Sequence, residues 1–272
     1  MATLSISKAW DESKDIMARD GRLIGAVALA LVAFPGAISG LVTPHGFNDP
    51  AAPVWARVTT IIATLIEVAG QLALIRLALG PSTTVGSAIA HGLRRTPIYV
   101  VAALIITCGL IILCVPFAAI LMSAGVPLTA EGIRQSPIAA LLALIYLVII
   151  TFFAIRLMVS SCVASAESTG PIAIIRRSWQ LTSGHWWRLF GFIVTFLVGA
   201  IVLIAAVGAA VGVAVGITLG KPDPLSASAL VIALIISLLD AAITALLAVM
   251  LARIYVQLSG HSSVAGASKR GI

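Results

Sequence analysis

Residues 97–124 read PIYVVAALIITCGLIILCVPFAAILMSA, 28 positions without a charged side chain, directly preceded by Arg94-Arg95-Thr96. A helix needs about 20 mainly apolar residues to cross a bilayer core. This stretch has that length with several residues to spare. It also lacks the alternating apolar and polar pattern of a barrel strand, so a helix is the reading. Five further runs have the same character: 23–42, 58–75, 137–155, 189–219 and 225–252. The runs 97–124, 189–219 and 225–252 exceed the minimum and predict tilted or bent helices. Pro35 and Pro116 predict kinks in the first and third. The fold class is an all-α integral membrane protein with six transmembrane helices.

The rest of the composition agrees. Of the 272 residues, 60% are hydrophobic and only 10% charged, against about 25% charged in a soluble domain. Mean hydropathy is +1.14. A globule in water needs more polar surface, which excludes soluble enzymes and nucleic-acid-binding domains, and disorder is excluded as well. Cys108, Cys114 and Cys162 lie in or beside apolar runs without a CxxC, and read as small packing residues. About 20 mixed-charge residues precede the first run, which is longer than a signal-peptide core, so an uncleaved first span is expected.

The basic residues set the orientation. Of 17 Lys and Arg residues, only Arg57, Arg134 and Lys221 fall on one side. The other 14 lie at the termini and in the 2–3 and 4–5 connections. By the excess of positive charge on cytoplasmic loops, both termini are cytoplasmic, in a bacterial inner membrane. Before spans 1, 3 and 5 the cytoplasmic segments 5–19, 84–95 and 171–183 read as amphipathic helices. Their apolar faces are Ile6, Ala9, Trp10, Ile16 and Met17, then Val85, Ile89 and Leu93, then Ile172, Ile175 and Trp179. Such helices lie in the headgroup plane.

Spans 2, 4 and 6 each end on an arginine in apolar surroundings: Arg76, Arg156 and Arg253. The unit of interfacial helix, span, short outer loop, span and arginine thus occurs three times, in residues 1–80, 81–166 and 167–260. This predicts three hairpins about a pseudo-threefold axis in a single domain, 1–260, with a flexible cytoplasmic tail, 261–272. All three units share one orientation, unlike the inverted repeats of many transporters.

The stretch from Ile175 to Gly191 is the most informative outside the spans. Its residues Arg177, Ser178, Leu181, Gly184, Trp187, Arg188, Leu189, Phe190 and Gly191 spell Arg-Ser-x-x-Leu-x-x-Gly-x-x-Trp-Arg-Leu-Phe-Gly. This resembles the membrane domain of glycerophosphoryl diester phosphodiesterases, and the six-span bacterial proteins that carry that domain without the catalytic one. The span number and amphipathic connectors are similar too. The resemblance implies a membrane module and no activity. The catalytic domain of those enzymes is a barrel of about 250 residues, whereas the longest non-membrane stretch here is the roughly 33 residues from Arg156 to Arg188. The family's acid pairs and His-Arg-Gly turn are missing.

Few residues carry chemistry. Glu67 and Asp240 are the carboxylates deep in spans, and Gln71 lies one turn from Glu67 on the same face. Each acid must face the bundle interior, a cavity or a cation; Arg76 and Arg156 are candidate partners, though they lie closer to the cytoplasmic interface. They read either as a proton, cation or substrate site or as interhelical hydrogen bonds. His45, His91, His185 and His261 lack metal-ligand spacing. Ser160-Ser161 and Ser262-Ser263 lack a nucleophile elbow. No cofactor is called for. Gly208, Gly212 and Gly216 form a ridge that suits either close packing within the bundle or a homo-oligomer contact. Arg176, Arg177 and Arg188, with Trp179, Trp186 and Trp187, form a basic-aromatic shell suited to an anionic leaflet, and Arg94 and Arg95 form a weaker one. These are the candidate lipid-headgroup residues. The alternative is plain topology anchoring.

The expected function is therefore non-enzymatic: lipid-interacting or membrane-organising, with membrane lipids as partners and no nucleic acid. A transporter or channel is the alternative, and a membrane-embedded enzyme stands last. A cavity lined by Glu67, Gln71 and Asp240 would favour transport. A solid core with splayed amphipathic helices would favour the scaffold.

Overall fold

The computed structural model describes residues 4–43, 53–80, 84–127, 129, 132, 136–218 and 226–260. Six helices are long and apolar enough to cross a membrane, as in a multi-pass membrane protein. We label the helices α1 (Ile6–Val42), α2 (Val54–Leu79), α3 (Val85–Ser123), α4 (Pro137–Leu157), α5 (Ser160–Ala166), α6 (Pro171–Thr182), α7 (Trp186–Thr218) and α8 (Ala227–Ser259). The segment 261–272, His45, Arg134, Lys221 and most of the outer-loop residues lie outside the described residues.

Short polar side chains start the helices. Ser5, Thr84, Ser136 and Ser226 each accept a backbone N–H at 3.1–3.3 Å, satisfying donors that have no partner in the first turn. Pro137 and Pro171 occupy first helical positions, where their missing N–H costs nothing. Within α1, a π-helical turn at Leu29–Ala33 stands just before Pro35. The proline has no N–H and crowds the carbonyl four residues back, so the ladder opens there.

Two amphipathic segments differ from the expectation. Residues 5–19 and 84–95 are not separate interfacial helices. They run unbroken into the following spans as the first turns of α1 and α3, with Pro97 inside α3. Only α6 stands apart. Gly184, at φ +83, lies between it and α7.

The faces buried against protein are rich in small residues. In α1 the inward residues are Ala9, Ser13 and Ile16, in α3 Ala88, Gly92 and Thr96, and in α6 Ile174, Ser178, Leu181 and Thr182. Leu93 and Ile172 point outward, at 56% and 73% exposure. Small residues lead these faces because apolar surface gains nothing over lipid. Helices in a bilayer pack by close approach instead. Three of the buried hydroxyls bond back to their own helix: Ser13 to the Ala9 carbonyl at 2.6 Å, Thr96 to Gly92 at 2.9 Å and Thr182 to Ser178 at 2.9 Å.

Successive spans pack together, and α8 packs back onto α1 and α2. Close approach is visible at glycines. A Cβ on Gly70 would stand 2.7 Å from Leu31 Cβ in the π-turn, and one on Gly92 would stand 2.5 Å from the Ala69 carbonyl oxygen. The core lies at the arginine-rich end, where Leu72, Leu74, Ile75, Ile155, Val159, Ile174, Val249 and Ile254 are fully buried. α5, which the sequence reading left within a connection, plugs this end with Ser160–Ser165 all buried. The outer faces of α3, α4 and α7 expose Ile112, Val115, Leu141, Val148 and Ile201. That is the surface a bilayer covers.

Candidate functional site

The arginine-rich end collects most of the polar structure. Arg76, Arg156 and Arg253 lie near the ends of α2, α4 and α8, and the residue before each is buried: Ile75, Ile155 and Ala252. The buried neighbour fixes each helix end and leaves the arginine half-buried at the rim.

Arg156 is the most elaborated. Its Nη1 donates to Ser183 Oγ at 3.0 Å. Its guanidinium lies over the Phe152 and Trp179 rings, at 5.3 and 5.2 Å from their centroids. Its carbonyl accepts from Ser178 Oγ at 2.9 Å and Thr182 Oγ1 at 3.2 Å. One residue thus docks α6 onto α4. Arg253 does similar work elsewhere. Its Nε donates to Glu12 at 3.0 Å, tying α8 to the start of α1. Ser5 N also donates to Gln257 Oε1 at 3.0 Å across the same junction.

The basic-aromatic shell divides. Arg177 Nε donates to Glu167 Oε1 at 3.1 Å, and the Tyr255 hydroxyl donates to the same oxygen at 2.9 Å. Arg177 is therefore engaged in holding α6 against α8, and a three-arginine clamp narrows to Arg176 and Arg188. Arg94, Arg176 and Arg188 are exposed, while Arg95 is half-buried. Arg188 Nη1 donates to the Leu4 carbonyl at 3.0 Å. Trp179, Trp186, Phe152, Phe153 and Phe190 form a continuous ring cluster. Trp186 and Phe190 stack at 5.1 Å within it. Trp187 meets Trp186 edge-on and is itself 77% exposed. The Nε of Arg156 and the Nε1 of Trp186 find no acceptor in the protein.

Glu67 on α2 and Ser237 on α8, three residues before Asp240, both approach Gly36 of α1. Glu67 Oε1 lies 3.3 Å from where a Cβ on Gly36 would stand, and Ser237 Cβ lies 3.4 Å from the same point. Neither acid forms an ion pair with Arg76 or Arg156, whose side chains belong to the arginine-rich end. Gln71 is half-buried on α2.

Two open grooves run along the sides of the bundle. The larger, about 620 Å³, is bounded by α1, α7 and α8 and includes Ile6, Trp10, Phe192, Gly199 and Met250. The smaller, about 240 Å³, is bounded by α3, α4 and α6 and includes Gly109, Phe153, Ile175 and Trp179. Glu67, Gln71 and Asp240 line neither. The ridge glycines Gly212 and Gly216 face open space, and only Gly208 touches another helix, at Ile236.

Residues 4–258 match the family model described as Domain of unknown function (DUF7847). The chain belongs to this family. The match takes in the Arg177–Gly191 motif, all three repeat arginines and both grooves. No curated protein and no solved structure matches.

Sequence reasoning missed Glu167 and Tyr255. A tyrosine near the end of a span and a glutamate in a connection carry no spacing signal, and only the fold brings them together. It also missed the small buried ridge of Ser13, Gly92 and Ser178. A search for small residues four apart would have found it in two of the three segments: Ala88-x-x-x-Gly92 and Ala9-x-x-x-Ser13.

Proposed function

We propose that this DUF7847 protein is a non-enzymatic protein of a bacterial cytoplasmic membrane that binds lipid and organises the bilayer around it. Its arginine-rich end faces the cytoplasm, as do both termini. It is built as three hairpins, each opening with an amphipathic segment, about a pseudo-threefold axis. It shares this plan with the membrane domain of glycerophosphoryl diester phosphodiesterases.

The observation that carries the lipid reading is the rim itself. Exposed Arg176 and Arg188 stand on the two helices that carry Trp187 and most of the ring cluster, and Arg94 is exposed on α3. A phosphate at the membrane boundary supplies acceptors, and arginine grips it bidentately. The hairpin plan is supported by the equivalent burial beside Arg76, Arg156 and Arg253. It is also supported by the packing of each arginine-bearing span on the next amphipathic segment: Ala73 by Gly92, Arg156 by Ser178, and Arg253 by Glu12.

The test replaces Arg94, Arg176 and Arg188 together by Lys and measures retained lipid by native mass spectrometry. Lys keeps the sign of the charge and therefore the topology. We expect the variant to retain less phosphatidylglycerol than wild type while folding equally well. Equal retention would reduce these arginines to topology anchors. One observation favours transport instead, the approach of Glu67 to α8 beside Gly36, one turn from Asp240. Solute flux in proteoliposomes that vanishes in Glu67→Gln or Asp240→Asn would replace the lipid reading.

A further inference from the structure

The larger groove has a definite shape and place. Along α7 it is lined from Gly191 to Leu203, with Gly199 between them. The 12 steps between them rise about 18 Å. One leaflet of a bilayer core is about half of 30 Å deep. The groove thus starts at the arginine-rich rim and runs through roughly one leaflet.

Its chemistry changes along that length. The walls deeper in are apolar, formed by Phe196, Leu203 and Ile243. The mouth is polar. Ser7 lines it, and Arg188 stands on α7 one turn before Gly191 and Phe192, on the same helical face. Arg188 is exposed, and the Leu4 carbonyl accepts from one of its five N–H donors. A cation at the mouth of an apolar channel one leaflet long complements a single kind of molecule, an anionic amphiphile with its chain inserted.

We infer that this groove is a phospholipid site, with one acyl chain lying between α1, α7 and α8 and the phosphate held at Arg188 and Ser7. This rests on the lipid reading above and gives it an address. The glycines have a role here. A Cβ on Gly191 or Gly199 would meet nothing within 4 Å. Their lack of a side chain is therefore not required for packing, and it keeps the channel open.

The test fills the channel. Gly199→Leu projects a side chain into the groove without a clash, and Gly191→Leu does the same nearer the mouth. Gly216→Leu, also in open space on α7 but outside the groove, is the control. Each full-length variant is purified in detergent, checked for monodispersity, titrated with dioleoylphosphatidylglycerol and read by native mass spectrometry. We expect wild type and Gly216→Leu to hold at least one more tightly bound phosphatidylglycerol than either groove variant. Arg188→Gln should bind that lipid several-fold more weakly and no longer prefer it to phosphatidylcholine. If the folded groove variants bind as wild type does, the groove assignment falls and the rim reading stands. If wild type binds no phosphatidylglycerol at all, both fall. Should one groove variant fail to fold, the other decides.

Discussion

Gly92 shows how single residues hold this molecule together. In a bilayer, burying a leucine from lipid gains little, so stability comes from how near two backbones can lie. At Gly92 the α3 backbone approaches α2 so closely that a methyl group would stand 2.5 Å from the Ala69 carbonyl oxygen and 3.2 Å from Ala73 N. Both obstacles are backbone and cannot swing aside. Gly92→Ala should therefore destabilise by about 1–3 kcal/mol, the usual cost of overpacking. Gly86, six residues earlier in the same helix, has nothing within 4 Å of its would-be Cβ. Gly86→Ala should be neutral or stabilising by up to about 1 kcal/mol, from helix propensity. Thermal unfolding in detergent reads both. A Gly92→Ala midpoint at or above that of Gly86→Ala would contradict the α2–α3 packing described here.

At the scale of elements, the junction of α6 and α7 separates the third unit from the other two. The first and second amphipathic segments continue straight into their spans, whereas Gly184, at φ +83, breaks the third. The break lets α6 turn onto α4, where Ser178 and Thr182 cap the Arg156 carbonyl and Trp179 covers the guanidinium. A left-handed backbone costs a residue with a Cβ about 1–2 kcal/mol. Gly184→Ala should lose about that much stability, and Gly184→Asn less. Unchanged stability in Gly184→Ala would mean that the turn is not needed.

How much of this was legible follows from the physics of each feature. The span at 97–124 was plain because a bilayer demands 20 apolar residues whatever they pack against. The end of the third amphipathic segment at residue 183 was plain because a glycine follows it, and that is a local signal. The continuity of α1 and α3 was hidden because a charged segment and an apolar one can share a helix axis with no mark at the join. The side of these segments that faces protein was not legible, because hydropathy marks only what avoids water. Here avoiding water and facing protein are different things, and Ile172 and Leu93 point outward. Of the site, the arginines and tryptophans were readable as types. The diversion of Arg177 to Glu167 was not, since it depends on Tyr255, 88 residues from Glu167 in sequence.

At the scale of the whole molecule, the distribution of burial bears on function. The core is concentrated at the arginine-rich end, while α3, α4 and α7 offer long apolar faces outward. The N-terminal turns are bound to the last helix through Arg253 and Glu12 and through Ser5 and Gln257. On the function proposed above, this closely packed end sits at one membrane surface, the sides face lipid, and the basic groups select which lipids gather there. The most direct measurement is the lipid composition of membrane patches extracted by polymer around the full-length protein without detergent, compared with the bulk membrane by quantitative mass spectrometry. The account predicts enrichment of anionic phospholipid around wild type, reduced in the Arg94, Arg176 and Arg188→Lys variant. Patches with the same composition as the bulk membrane, for wild type and variant alike, would contradict it.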